Sequence, residues 1–287
     1  MENKKVIIIS DSTCDLSKEL IEKYDIKILP LGVTLGDKTY ADGVDINADK
    51  IYEYYNSTGT LPKTSAINLG EAEDFFAQYA NKGNEIVYFS ISSEMSTSYR
   101  NCLLASESFE DVYVIDTKNL STGGGLLVLS AAIMAEQGAD ASAIVEEIEK
   151  LKPCVDASFI IDKLEYLHKG GRCSSVAALG ANLLKIKPCI SVVNGKMGVG
   201  KKYRGKFVDT VKEYVADHIG DPSTVKCDHV FVTHAGCPDE VVNAAIEKTR
   251  EFLNPENLYI TRAGCTVSSH CGPDTIGVLF IRKSPIA

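Results

Sequence analysis

The chain has 287 residues, 45% of them hydrophobic and 24% charged, which is ordinary globular composition with room for one large domain or two smaller ones. A formal net charge of −9 argues against nucleic acid as a partner and against stable docking on anionic membranes, because both need a basic surface. The most apolar stretch, residues 126–135, is too short to span a bilayer, and the opening Met1-Glu2-Asn3-Lys4-Lys5 lacks a signal-peptide core, so a cytoplasmic protein is expected.

Short apolar runs alternate with helical patterns from the start. Residues 6–9 read as a buried strand, and apolar Leu16, Leu20, Ile21 and Tyr24 mark a helix behind Asp11-Ser12-Thr13. Residues 26–35 are extended, with Pro30 predicting a sheet edge or an exit from the sheet. Tyr40-Ala41-Asp42-Gly43 is a turn, residues 51–55 end a short helix, and residues 61–65 form a loop. Asn68 and Glu71 have capping-box spacing ahead of a helix to Tyr79. A strand at 86–91 precedes the polar segment 92–98, and a helix follows over 99–109. A strand at 112–115 leads through Gly123-Gly124-Gly125 into an apolar helix, then an amphipathic one over 141–151. This alternation predicts a doubly wound, mostly parallel sheet.

Lys152-Pro153 marks the expected boundary between an N-terminal α/β domain, 1–153, and a C-terminal α/β domain, 154–287. The second half carries a strand at 158–161, a short helix over 164–168, a helix over 176–184 and a hairpin at 188–203. Asn194-Gly195 sets that hairpin's type I′ turn. A helix over 206–218, a strand at 230–233, a helix over 239–252 and strands at 258–261 and 276–281 complete a mixed sheet with helices.

In a parallel α/β sheet ligands bind beyond the carboxyl ends of the strands. That rule selects the segment 92–98, whose hydroxyls and helix-start N–H groups suit a carboxylate or phosphate, or simple capping. Thr64-Ser65 offers further hydroxyls in a loop, and His270, among small residues just before the last strand, can bond an anion or act as a base, or be a turn histidine with satisfied neighbours. Other chemistries are poorly served. No G-x-S-x-G elbow accompanies Ser269, His270 and Asp274, and no G-x-G-x-x-G follows a strand. The G-x-x-x-x-G-K run at 195–201 ends in Lys202 where a P-loop needs Ser or Thr. Asp11 and Asp15 form a potential carboxylate pair, with capping the commoner role. The nine cysteines have neither disulfide nor metal-ligand spacing and read as free, mostly buried thiols.

Taken in order, a set of segments resembles the DegV family, which includes the fatty-acid-binding subunits of bacterial fatty acid kinase. They are Asp11-Ser12-Thr13-Cys14-Asp15-Leu16, Pro30-Leu31, Tyr40-Ala41-Asp42-Gly43, Thr64-Ser65, Ile91-Ser92-Ser93 and Ser96-Thr97-Ser98-Tyr99. Leu164-Glu165-Tyr166-Leu167-His168-Lys169-Gly170-Gly171-Arg172 is the most specific member. Lys185-Ile186-Lys187-Pro188, Lys202-Tyr203-Arg204-Gly205-Lys206 and His270-Cys271-Gly272-Pro273 complete the set, so one DegV unit spans about 4–284. The resemblance implies two α/β domains, an acyl chain in or beside the first, and a fatty-acid carboxylate held at their junction. It implies Thr64, Ser96 and His270 as carboxylate ligands, with Ser65, Thr97 and Ser98 in support. It assigns Arg204 to contact with a kinase partner. The expected protein is a monomeric carrier with no catalysis, metal or cofactor of its own, serving lipid transport or fatty acid metabolism beside an ATP-dependent fatty acid kinase. Two departures stand out: Thr97 replaces the family's usual glycine, and Ala66-Ile67 replaces Gln-Pro. The alternatives are a stand-alone hydrolase or small-molecule kinase built on His270, and a lipid sensor without a transfer role.

Overall fold

The structure is a computed structural model describing residues 4–80, 82–177 and 186–286. The first half runs β1 (Val6–Asp11), α1 (Lys18–Lys23), β2 (Lys27–Leu29), β3 (Gly32–Leu35), β4 (Lys38–Ala41), α2 (Ala48–Thr58) and β5 (Lys63–Ser65). It continues through α3 (Leu69–Ala80), β6 (Glu85–Ser90), α4 (Ser98–Ser106), β7 (Val112–Asp116), α5 (Ser121–Glu136) and α6 (Ala141–Leu151). Four strands form a parallel sheet in the order β2-β1-β6-β7. Ile7, Ile8, Ile9, Val87, Tyr88 and Phe89 are buried along its two central strands, as expected where helices cover both faces.

The chain leaves this sheet at Pro30, which follows β2 and precedes β3. Proline has no N–H to give a ladder, so the sheet ends there. A second, three-stranded antiparallel sheet then forms in the order β4-β3-β5. Its register pairs Val33 with both Tyr40 and Thr64. Residues 61–65 were expected as loop only; the tripeptide Lys63–Ser65 is instead a strand, because β3 supplies the pairing partner from about thirty positions away. The predicted capping box holds. Glu71 N donates to Asn68 Oδ1 and Asn68 N to Glu71 Oε2, both at 2.9 Å, which satisfies two otherwise unpaired donors at the start of α3.

The second half contains β8 (Val155–Ile161), α7 (Glu165–Gly170), α8 (Ser174–Ala177), β9 (Lys187–Val193), β10 (Lys196–Tyr203) and α9 (Phe207–Ile219). Then come β11 (Val225–His234), α10 (Asp239–Phe252), β12 (Asn257–Arg262), α11 (Cys265–Cys271) and β13 (Thr275–Arg282). Its six strands form a mixed sheet, β10-β9-β8-β13-β11-β12, in which only β11 and β12 pair in parallel. Asn194 and Gly195 both have positive φ, 50° and 82°, as a type I′ hairpin requires. The helix expected over 176–184 lies mostly outside the described residues, as does Lys185. His270, for which the sequence leaves a turn open, lies on the helix α11.

α5 joins the halves. Its sequence Ser121–Glu136 has no polar stripe, and residues 121–129 are buried on every side. It packs on β1 and β6 of the parallel sheet and on β8, β11 and β13 of the mixed sheet. Leu126, Leu127, Val128 and Leu129 are at most 1% exposed, each worth roughly 1.5–3 kcal/mol of burial. The largest apolar cluster therefore takes residues from both halves, from Ile8 and Phe89 to Phe231 and Leu279.

Candidate functional site

The parallel sheet reverses direction of growth at β1, with β2 on one side and β6 on the other, and a cavity opens beyond the carboxyl ends of these two strands. Asp11, at the end of β1, is 1% exposed and ties the two strand ends together. It accepts from Ile91 N at 2.7 Å and from Thr13 N and Oγ1 at 3.0 and 2.6 Å. Burial pushes its carboxyl up to about 6, against the pull of these donors. The segment after β6 then runs along the cavity wall, held by Ser93 N donating to Asp116 Oδ1 at 3.1 Å.

That cavity, of about 380 Å³, is walled by Thr64, Ser65 and Ala66 on one side and Ile91 with residues 93–97 on another. α11 closes it with Thr266, Val267, His270 and Cys271, and Leu31, Leu120, Arg172 and Met197 complete the lining. Thr64 Oγ1 and His270 Nε2 meet at 2.8 Å across this space. Burial, and next the nearby Arg172 guanidinium, hold the imidazole down at about 4, so the ring is neutral at ordinary pH. Its Nδ1 is buried with no hydrogen-bond partner among the described residues.

Thr64, Ser65, Ser96, Thr97 and His270 thus converge on one cavity, although they come from three separate stretches of chain. Ser96 does two jobs. Its Oγ lines the space and also accepts from Ser98 N at 3.2 Å, so the capping role expected of such a residue coexists with exposure to the cavity. Ser98 lies behind the wall, fully buried; its Oγ contacts Ser96 Oγ at 3.0 Å and accepts from Ile67 N at 3.2 Å. It braces the site by tying the segment after β5 to the start of α4. Thr97 has φ −82°, a conformation open to any residue, so replacing glycine there costs the backbone nothing. Ala66 lines the cavity and Ile67 is 1% exposed. Arg204 sits apart, exposed in the loop between β10 and α9.

Arg172 is the residue whose role the sequence reading missed. Gly170 and Gly171 explain its placement. A Cβ at Gly170 would stand 2.8 Å from His270 Nδ1, and Gly171 ends α7 with φ 70°. The double glycine lets α7 press on the imidazole and then turns Arg172 to the cavity mouth, where its Nη1 donates to Gly170 O at 2.9 Å.

The β9–β10 hairpin supplies another wall. Ser92 Oγ donates to Gly195 O at 2.8 Å, which docks the hairpin tip on the segment after β6 and brings Met197 opposite Met95. The G-x-x-x-x-G-K run therefore lies on this hairpin and not on a phosphate-binding loop. Deeper in, Leu120, Val267 and Cys271 are shared with a second, constricted cavity of about 30 Å³. Ala157, Phe159, Val192, Ala235, Ala263 and Leu279 give that cavity apolar walls between α5, α11 and the mixed sheet.

Other candidates from the sequence resolve differently. Ser269 Oγ donates to Cys265 O at 2.7 Å along its own helix, so it is not presented to His270 as a nucleophile. All nine cysteines are free and eight are buried; burial pushes the Cys271 thiol up to about 12. Among the described residues no group of three or more His, Cys, Asp or Glu side chains could hold a metal ion, and no helix is long and apolar enough to cross a membrane.

The family model described as "Uncharacterised protein, DegV family" matches residues 5–283. A DegV domain-containing protein of Clostridium acetobutylicum is 35% identical over 283 residues, covering 98% of this chain and 99% of the relative. The structure of a DegV lipid binding protein from Thermotoga maritima superposes with a TM-score of 0.85 at 26% identity, over 98% of this chain and all of that one. A stearic acid-binding protein from Eubacterium ventriosum gives a TM-score of 0.81 at 29% identity, over 98% of each chain. On sequence and architecture alike, the chain belongs to the DegV family.

Proposed function

We propose that this protein binds a long-chain fatty acid, with the carboxylate at Thr64, Ser96 and His270 and the acyl chain running inward past Leu120 and Val267. The observation that carries this reading is the Thr64–His270 pair, 2.8 Å apart, in a cavity that adjoins a second, apolar one. A carboxylate cannot enter an apolar interior unpaired. Here two hydroxyls, a neutral imidazole and the Arg172 guanidinium stand at the mouth to receive it. The tail supplies the affinity. Burying about fifteen methylenes at ~0.8 kcal/mol each yields a gross drive of ~12 kcal/mol, which ordering and association costs offset in part.

The lining residues favour placing the tail at the junction of the halves, between α5 and the mixed sheet, in preference to the first half alone. The constriction there means that side chains must move apart to admit a chain. In this reading 1–153 and 154–287 act as two units clasping one ligand. The protein is a monomeric cytoplasmic carrier that presents its ligand to a separate ATP-dependent fatty acid kinase. Two features support that role. The glycine-lysine run on β10 is an unsuitable nucleotide site, and the exposed Arg204 is free to meet a partner.

Mass spectrometry of protein purified from cells, native and after solvent extraction, tests the binding. Wild type is expected to carry one fatty acid per chain. Thr64→Ala/Ser96→Ala should be depleted, because each lost bond to a charged group costs roughly 1.5–3 kcal/mol. A wild type that is empty and refuses added fatty acids overturns the reading.

A further inference from the structure

Both ends of α11 are fastened to the small three-stranded sheet. At its last turn His270 meets Thr64, which lies on β5. At its first turn the N–H groups of Cys265 and Thr266 have no partner within the helix, as at any helix start. Both are taken by one carboxylate, that of Asp42, at 2.8 and 2.9 Å. Asp42 directly follows β4, and β4 and β5 flank β3 in register, with Ala41 and Ser65 both opposite Gly32. The sheet thus fixes the separation of the two anchors, and α11 spans it. Asp42 is 2% exposed and does not line the cavity. Ser12 Oγ donates to Asp42 Oδ2 at 3.1 Å and accepts from Leu31 N at 3.1 Å, which fixes the carboxylate's orientation. Asp15 adds a neighbouring hold, accepting from Gly264 N at 2.8 Å.

We propose that Asp42 is a positioning residue for the head-group site, holding α11 so that His270 stands opposite Thr64. The proposal rests on the fatty-acid reading for its functional consequence, but its structural claim can be read without any ligand. Asp42→Asn keeps the shape, removes the charge and turns an amide N–H₂ toward a backbone donor. Asp49→Asn is the control. It breaks the Arg262–Asp49 pair, which also links the two halves but makes no hydrogen bond to α11 among the described residues. Two quantities are measured for each variant: the ¹⁵N and ¹H resonances of the His270 imidazole, and the dissociation constant for hexadecanoic acid by fluorescence displacement.

Asp42→Asn is expected to shift the imidazole resonances and weaken binding about tenfold or more, since sites of this kind tolerate only ~0.5 Å of misplacement. Asp49→Asn should do neither. Folded Asp42→Asn with unchanged resonances and affinity overturns the proposal, as does an equal effect from Asp49→Asn, which would mean that both residues only fasten the halves together. If wild type binds no fatty acid, the head-group reading falls, and the imidazole resonances alone decide whether Asp42 positions His270. Should Asp42→Asn fail to fold, Ser12→Ala takes its place, with a resonance shift of the same sense and a smaller loss of about threefold, because the two N–H bonds from α11 to Asp42 remain.

Discussion

His270 and Asp15 respond to burial in opposite senses, and their signs can be separated by pH. Burial and Arg172 hold His270 down at about 4, whereas burial pushes Asp15 up to about 8 despite donors from Ser121 and Gly264. An unfolded histidine takes its proton near 6.5, so the unfolded state holds more protons between about 6.5 and 4, and stability falls as pH drops through that window. Folded Asp15 keeps a proton that the unfolded chain releases near 3.9, so stability falls as pH rises from about 4 to 8. Urea denaturation of Asp15→Asn should therefore show a cost that shrinks between about pH 5 and pH 8, while His270→Gln flattens the acid limb. A cost for Asp15→Asn that stays flat from about pH 5 to pH 8 would mean the carboxylate is ionised throughout that range. The two arginines separate at this scale too. Arg172→Ala should weaken fatty acid binding roughly tenfold, the loss of one charge-assisted bond. Arg204→Ala should leave binding intact and lower only the rate at which a kinase uses the bound ligand. Equal binding losses from both would refute the division.

α5 is the element on which the architecture depends, and its glycines are not equivalent. A Cβ at Gly125 would lie 2.6 Å from the Cys14 carbonyl oxygen, a backbone atom that cannot swing away. At Gly124 the nearest atom is Thr117 Oγ1 at 3.5 Å, an ordinary contact. Alanine favours a helix over glycine by ~1 kcal/mol, but overpacking costs ~1–3 kcal/mol. Gly125→Ala should thus lower the urea midpoint, and Gly124→Ala should leave it unchanged or raise it. α11 makes the complementary case. It is short, buried nearly all round and without an amphipathic stripe, so no periodicity marks it in the sequence. Its first turn is held by Asp42, 223 positions away. Local signals were enough elsewhere: the Asn68–Glu71 box, the Asn194-Gly195 turn and the break at Pro30 each act within a few residues, and each was legible.

At the scale of the whole molecule, the proposed tail site exists only because the mixed sheet and the parallel sheet share α5. Ala235, at the end of β11, is 2% exposed and lines the constricted cavity. Ala235→Leu adds about three methylene-sized groups to that wall, in a core that resists overpacking. The expected outcome is a shift of preference toward shorter acyl chains, read by mass spectrometry of fatty acids recovered from a mixture offered to the purified protein. An unchanged chain-length profile would place the tail elsewhere.

The sequence by itself determined the α/β class, the parallel first sheet, the hairpin of the second and the family, because these follow from periodicity, turn chemistry and an ordered set of motifs. It also named Thr64, Ser96 and His270, through the resemblance. What only the tertiary structure decided is that Thr64 and His270, 206 positions apart, meet at 2.8 Å, that Ser98 braces the wall from behind, and that Arg172 stands at the mouth. It also decided that Thr64 lies on a paired strand and His270 on a helix. The physical reason is one of range. A cap or a turn is satisfied by neighbours in the chain, whereas β5 is a strand only because β3 pairs with it, and α11 is held where it is because a buried carboxylate from the other half accepts its first N–H groups.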